Sequence, residues 1–320
     1  MAATAPLLMR IISSSVAVSK RAGLVIRDIL RKGDLGIVEK GKNDLQTEAD
    51  RSAQRCIIAS LHRQFPKVAI FGEEQLDPAE KIPDDFVETD MDEEVLKLEC
   101  PENLTNVQDD DIVIWVDPLD GTSEFTIGLL DHVTVLIGVA VKGKAVGGVI
   151  YQPYHNYQLG DENNFGRCIW GIIGLGAYGF TKQMPPKDQN IITTTRSHST
   201  RTVTEAVEAV EPTEVVRVGG AGHKVLLLIE GKVHAYVFAS KGCKKWDTCA
   251  PEAVLHAIGG SLTNMLGEPI LYHRDVQRKN SEGVLATLAN HEWYLNKIPE
   301  DIKQEFRPEP PVSGDSGSKI

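Results

Sequence analysis

The chain reads as an α/β protein in which helices are layered on mixed sheets. Three features predict that class. Short apolar runs of strand length alternate with longer segments of helical period. The apolar runs 133–141 and 145–151 flank Lys142-Gly143-Lys144, a hairpin signal, so part of the sheet structure is antiparallel. In the second half strands and helices take turns, which marks crossover connections. The 320 residues suffice for about two domains, or one large layered domain with a sizeable core.

The elements follow in order. Leu7, Leu8, Ile11, Ile12, Val16 and Val18 are apolar and Arg10 interrupts them, so the N-terminus reads as an amphipathic helix to about Leu30 rather than a leader peptide. Gly33 and Gly36 end it. Residues 44–50 are a polar stretch, and 51–65 a second helix stopped by Pro66. Residues 68–71 form a short buried strand running into Gly72-Glu73-Glu74. Residues 112–116 form an apolar strand that ends at Asp117. Beyond the hairpin, short strands lie between 168 and 180. Then come a strand at 191–195, a helix at 202–210, the turn Gly219-Gly220-Ala221-Gly222, a helix at 223–230 and a strand at 233–239. A helix at 251–258 is closed by Gly259-Gly260. There is no internal repeat. A boundary near 155–165 divides an N-terminal α+β region, 1–160, from a C-terminal α/β region, 161–306. Residues 307–320, rich in Pro, Gly and Ser, read as a disordered tail.

The formal net charge is −11, which argues against a protein that coats nucleic acid. The acidity is local: residues 77–111 hold 14 Asp/Glu against 2 Lys/Arg, so the rest of the chain is near neutral and can face an anion. That tract reads as a solvated loop or insertion, with a partner-binding surface as the alternative. No apolar run approaches the ~18 residues of a membrane span. Cys56, Cys100, Cys168, Cys243 and Cys249 are odd in number and form no Cys-x-x-Cys pair. Buried structural thiols in a reducing, cytoplasmic setting are expected.

Carboxylates stand where apolar elements begin or end: Glu73-Glu74, then Asp117 and Asp120, then Asp247 ahead of Pro251. Packing can bring such ends into one cleft, where acids repel one another unless protonated or neutralised by cations. Clustered hard oxygens suit Mg²⁺, and no paired His or Cys ligands point to zinc. In Asp117-Pro118-Leu119-Asp120-Gly121-Thr122, Pro118 fixes one φ, so the turn can aim both aspartates and the Leu119 carbonyl at one point. Gly121 admits close backbone approach, and a helix from about Thr122 would point free N–H groups at a phosphate. A plain turn is the alternative, and Asp247 can equally be a helix cap. Thr193, Thr194 and Thr195 end a strand, and Arg196-Ser197-His198-Ser199 lead to a helix, a donor-rich loop that suits an anion or merely caps. The turn at 219–222 lacks the Gly-Lys-Ser/Thr ending of a Walker loop, and Lys224 alone would read as solvated.

Together Gly72-Glu73-Glu74, the run from Trp115 to Thr122, and Trp246-Asp247, with Asp44 to Asp50 upstream, resemble the inositol monophosphatase superfamily of lithium-sensitive, Mg²⁺-dependent phosphatases. Residues 34–40, 191–199 and 242–252 are similar to its cytosolic 3'(2'),5'-bisphosphate nucleotidase branch. The resemblance implies a layered α/β/α/β/α sandwich, two or three Mg²⁺ ions and inhibition by Li⁺. It implies a small phosphorylated nucleotide as substrate, with no nucleic-acid or membrane partner. Adenosine 3',5'-bisphosphate would be cleaved to AMP and phosphate, with inositol 1,4-bisphosphate a second substrate. By the same resemblance Glu73, Asp117, Asp120, Asp247 and the Leu119 carbonyl hold metal, and Glu74 stands behind them or holds a further ion through water. Asp50 and Thr122 orient and deprotonate the attacking water, and Thr195, His198, Gly220 and Lys224 contact the nucleotide. Ser123, Ile127 and His223 depart from the pattern, where Lys, an acid and a smaller polar residue are familiar. The rival readings are an inositol phosphate phosphatase with little nucleotide activity, a metal- and nucleotide-binding module without turnover, and a structural protein using residues 77–111.

Overall fold

The computed structural model describes residues 4–41, 44–76, 82, 84–161 and 164–307. Helix α1 (Leu7–Lys32) stops at Gly33, whose φ of 80° no β-carbon favours and whose N–H reaches the Leu30 carbonyl. Strands β1 (Val38–Gly41) and β2 (Asp44–Gln46) pair as a small antiparallel hairpin. Helix α2 (Glu48–Gln64) begins three residues before the expected 51 because Thr47 caps it: its Oγ1 accepts from Ala49 N and Asp50 N, and Asp50 accepts from Thr47 N. Strand β3 (Ala69–Gly72) is half-buried rather than buried. After α3 (Glu93–Leu96), strand β4 (Ile112–Asp120) is buried along its length and continues through the turn expected to end it. Helix α4 (Thr122–Thr126) and strands β5 (Thr134–Val141), β6 (Lys144–Gln152), β7 (Arg167–Ile172) and β8 (Gly176–Tyr178) follow.

Strands β3 to β8 form one sheet in chain order, parallel between β3 and β4 and antiparallel elsewhere. It reaches Tyr178, so the boundary expected at residue 160 falls inside a sheet rather than between two of them.

The second half supplies β9 (Ile191–Thr195), α5 (Arg201–Ala209), β10 (Glu214–Val218), α6 (Ala221–Ile229), β11 (Ala235–Phe238), β12 (Cys243–Lys244) and α7 (Lys245–Ala257). Strands β13 (Ser261–Thr263), β14 (Lys279–Asn280) and β15 (Val284–Thr287) and helices α8 (His291–Lys297) and α9 (Glu300–Gln304) complete it. A five-stranded sheet has the order β10-β9-β11-β15-β13, and β12 pairs with β14. Strand β10 was not expected: it is a five-residue edge strand of which only Val218 is buried, and Arg217 interrupts its valines.

Side-chain alternation sets the layers. Ile112, Ile114 and Val116 of β4 join the core under α1 and α2, while Val113 and Trp115 face the opposite way into a core with α6 and α7. That middle core also takes Tyr236, Phe238, Val284 and Ala286 from the second sheet. The outer face of that sheet, with Ile192, Val237 and Leu285, is covered by α5, α8 and α9. The result is helices, sheet, helices, sheet, helices, the α/β/α/β/α order expected.

Helix α7 starts at Lys245, six residues before the expected Pro251, which sits inside it. Its backbone rests directly on the first sheet across Gly138 and Gly148, which face each other in β5 and β6. A β-carbon on Gly138 would stand 2.6 Å from Ala250 N, and one on Gly148 2.4 Å from the Ala250 carbonyl oxygen. This seating fixes the first turn of α7, and with it Asp247.

Part of the acidic tract is stitched to the body: Asp92 N donates to the Ser13 carbonyl and Lys20 pairs with Asp92 at 2.9 Å. Residues 77–81 and 83 of that tract, and 308–320 of the expected tail, lie outside the described residues. All five cysteines are free; Cys56, Cys243 and Cys249 are buried and the other two half-buried. Among the described residues no helix is long and apolar enough to cross a membrane.

Candidate active site

The acidic element ends meet at one cavity of about 450 Å³. Strand β3 runs parallel to β4 with Gly72 beside Val116, and Glu73 N donates to the Val116 carbonyl, which sets Glu73 next to Asp117. The β4–β5 register shifts between Asp117 and Asp120, so both aspartates and Leu119 face the cavity. Leu119 N donates to Asp117 Oδ1 at 3.0 Å and braces the turn. Asp120 spans the layers: its carboxylate accepts from Ala221 N and Gly222 N, both at 2.8 Å, and from Thr134 Oγ1 at 2.7 Å. Gly222 is required there, since a β-carbon would stand 2.6 Å from Thr134 Oγ1. Asp247, in the first turn of α7, accepts from Lys244 N at 2.7 Å and faces the same cavity. It is the third residue of α7 rather than the expected N-cap, which is Lys244; its carboxylate closes the capping box and also lines the cavity.

Asp50 and Glu74 stand behind this surface rather than on it. Asp50 Oδ2 accepts from Thr47 N at 2.7 Å and Thr47 Oγ1 at 2.5 Å, which leaves Oδ1 for the Thr122 hydroxyl at 2.9 Å. Thr122 Oγ1 is also 3.0 Å from the Leu119 carbonyl oxygen, and the hydroxyl faces the cavity. Glu74 is buried and held by Lys40 at 2.8 Å, by Gln46 and, through its backbone, by Gln54.

The electrostatics follow from burial and repulsion. Burial, with Asp247 and Glu74 adding to it against Lys40, pushes Glu73 up to about 8. Burial and then Glu73, Asp120 and Asp247 raise Asp117 well above the carboxylate range. Burial raises Asp120 against the donors that hold it, and burial with Asp120 raises Asp247 to about 6. Asp50 rises to about 6 through burial, opposed by Thr47 and Thr122. Burial disfavours charge on Lys40, yet Glu73 and Glu74 outweigh it and hold its pKa up. Such mutually raised acids mark a place where positive charge is favoured.

The donor set fits Mg²⁺: carboxylate oxygens and a peptide carbonyl, desolvated and repelling one another. Among the described residues no three His, Cys, Asp or Glu side chains already form a closed cage. Lys40 occupies Glu73 and Glu74, and α6 and Thr134 occupy Asp120, so a cation would take the place of protein donors.

The residues expected to contact a nucleotide also border this cavity. Thr195, His198, Gly220 and Lys224 all line the cavity. Thr195 Oγ1 accepts from His198 N at 3.1 Å. Lys224 is buried, not solvated; its Nζ donates to the Gly220 carbonyl at 2.9 Å and lies over the Tyr236 ring. Burial lowers its pKa, opposed by Asp120 and Glu124. The hydroxyls of Thr193 and Thr194, by contrast, go to the Val216 and Val237 carbonyls and serve the sheet.

Sequence reasoning missed Lys40, Glu124 and His132, and it read Arg196 only as part of a donor-rich loop, without its partner. Lys40, in a stretch noted only for its resemblance, reaches the paired glutamates. Glu124, which lines the cavity, accepts from Arg196, which does not, and His132 accepts from Gly219 N through Nδ1. Each is tied to a partner at least 33 positions away in sequence, beyond the reach of any local pattern. Of the departures, Ser123 lines the cavity, Ile127 is exposed, and His223 is half-buried, stacked on His132 at 4.6 Å.

The family model described as "Inositol monophosphatase family" matches residues 8–303. A human protein named 3'(2'),5'-bisphosphate nucleotidase 1 is 53% identical over 96% of this chain and 100% of its own length. A Dictyostelium discoideum protein of the same name is 38% identical, covering 91% of this chain and 96% of its own. The crystal structure of inositol monophosphatase-II from Staphylococcus aureus shares the fold, with a TM-score of 0.63 at 20% identity, over 91% of this chain and 94% of that one. By motif order, layered fold and near full-length match, this chain belongs to the inositol monophosphatase family.

Proposed function

We propose that this chain is a Mg²⁺-dependent phosphatase that hydrolyses the 3'-phosphate of adenosine 3',5'-bisphosphate to AMP and phosphate, and inositol 1,4-bisphosphate as a second substrate. The observation that carries the reading is the meeting of Glu73, Asp117, Asp120 and Asp247 at one cavity with the Asp50–Thr122 pair beside them. The names of the human and Dictyostelium relatives support the nucleotide as substrate. In this reading the four carboxylates and the Leu119 carbonyl hold two or three ions, Glu74 supports them from behind, and Li⁺ inhibits. When bound, Mg²⁺ neutralises phosphate charge and lowers the pKa of water beside the ester.

The chain's own groups do the rest. Thr47 pins Asp50 so that Oδ1 alone faces Thr122. At neutral pH Asp50, with a pKa near 6, is ionised yet unusually basic for an aspartate. It takes the Thr122 proton as Thr122 takes one from water aimed at phosphorus. No side chain attacks the substrate, so no phosphoenzyme forms. Thr195, His198, Gly220 and Lys224 grip the nucleotide on the far wall, and Lys224 offers it a desolvated cation. Residues 1–160 then supply most of the metal site, and 161–306 the nucleotide wall with Asp247. A cytoplasmic location is supported by five thiols that are free in the fold.

A phosphate-release assay over adenosine 3',5'-bisphosphate, inositol 1,4-bisphosphate and inositol 1-phosphate, with and without Mg²⁺, tests the reading. Mg²⁺-dependent release, greatest from the nucleotide, is expected. Release mainly from the inositol esters would make this an inositol phosphate phosphatase, and nucleotide binding without release would leave a non-catalytic module.

A further inference from the structure

The cavity is built from two halves that need a fixed distance between them. Thr122 lies in α4 on the first-sheet side, whereas Thr195 and His198 lie at the end of β9 and in the loop beyond it. Residues 196–199 are exposed. Most of their hydrogen bonds stay within the second half: Arg196 N to the Val218 carbonyl, His198 N to Thr195 Oγ1, and Arg217 Nη1 to Ser199 Oγ. Among the described residues, their side-chain hydrogen bonds to the first half are those of Arg196, whose Nε and Nη2 donate at 3.2 and 3.0 Å to one oxygen of Glu124.

Glu124 sits two residues beyond Thr122 in α4 and is only 3% exposed. A carboxylate this buried needs its partner, so the pair holds one geometry where a surface pair would fluctuate. The turn that carries Gly220 leans on the same group: a β-carbon on Gly219 would stand 1.9 Å from Glu124 Cδ. One side chain therefore touches the helix of Thr122, the loop of His198 and the turn of Gly220.

We infer that Glu124 and Arg196 form a positioning clamp that fixes the span between the Asp50–Thr122 pair and the nucleotide wall. The clamp favours phosphate esters long enough to bridge both halves, those carrying a nucleoside, over small phosphate esters. This rests on the nucleotide reading given above. Arg196 does not line the cavity, so its action runs through the loop it holds.

The test compares kcat/KM for adenosine 3',5'-bisphosphate with kcat/KM for a simple aryl phosphate. Glu124→Gln keeps the shape and removes the charge, and Arg196→Ala removes the partner. In each, the nucleotide-to-aryl ratio falls about tenfold, mostly through the nucleotide KM. The double variant is no worse than the stronger single one, because both act through one pair. Arg196→Lys recovers part of the ratio. Should Glu124→Gln fail to fold, Arg196→Ala, a half-exposed position, carries the test. An unchanged ratio, an equal kcat loss on both substrates, or additive losses would overturn the clamp. Calorimetric AMP binding to the wild type separates the two failures. A wild type that neither binds AMP nor cleaves the bisphosphate refutes the nucleotide reading, whereas one that does both while the variants keep its ratio refutes the clamp alone.

Discussion

Asp50 gives its two oxygens different tasks: Oδ2 is spent on Thr47, and Oδ1 is left to Thr122. Asp50→Asn keeps the shape but cannot take a proton, so kcat should fall about 10²- to 10⁴-fold with KM little changed. Steady-state kinetics on the bisphosphate checks this, and a loss confined to KM would count against it. Asp120 has a second duty that the sequence did not reveal. The sequence alone makes Asp120→Asn a clean loss of turnover on an intact fold. The structure adds that both oxygens hold the start of α6 or Thr134, so an amide forfeits one acceptor. Asp120→Asn should abolish most activity and also cost about 1–3 kcal/mol of stability, measurable by urea unfolding. Full activity at ordinary Mg²⁺ would exclude Asp120 as a ligand.

Among the elements, α7 shows how the fold aims a side chain. Its seat on Gly138 and Gly148 leaves no room for a methyl group, and at Gly148 the nearest atoms are all Ala250 backbone, which cannot swing aside. Gly148→Ala should therefore push α7 outward, cost about 1–3 kcal/mol and impair turnover through Asp247. Thermal unfolding with phosphate release checks it; a variant as stable and active as wild type would refute the seating. Elements were legible where pattern and burial agree, as in α1, the β5–β6 hairpin and β9. Pro251 and the polar run 44–50 misled at two helix starts: the proline is inside α7, and the run holds β2, the Thr47 cap and the first residues of α2. Edge strand β10 is short and mostly exposed, and Arg217 interrupts its valines, so no continuous apolar run marked it. The carboxylates were legible because each stands near the beginning or end of an apolar element; Lys40, Glu124 and the pairing of Arg196 were not, because only the folded chain brings their partners near.

At the scale of the molecule, folding gathers acids that would rather be apart. Unfolded carboxylates titrate at about 4, whereas Asp50 and Asp247 hold protons to about 6 and Glu73 to about 8. Between those limits the folded state binds more protons, so their contribution to stability falls as pH rises from about 4 to about 8. Mg²⁺ should relieve that repulsion. Its stabilisation should reach about 2.7 kcal/mol at 100 times Kd and, at one fixed Mg²⁺ concentration, be larger at about pH 8 than at about pH 5, where protons compete and raise Kd. Melting curves with and without Mg²⁺ at the two values test this, and an equal gain at both would contradict it. The same convergence is what the proposed chemistry needs.

Anomalous scattering from a crystal grown with Mn²⁺ and AMP addresses that convergence directly. The prediction is strong peaks in the cavity at ligand distance from Glu73, Asp117, Asp120 and Asp247, beside the nucleotide. An empty cavity, or peaks only elsewhere on the surface, would contradict the account.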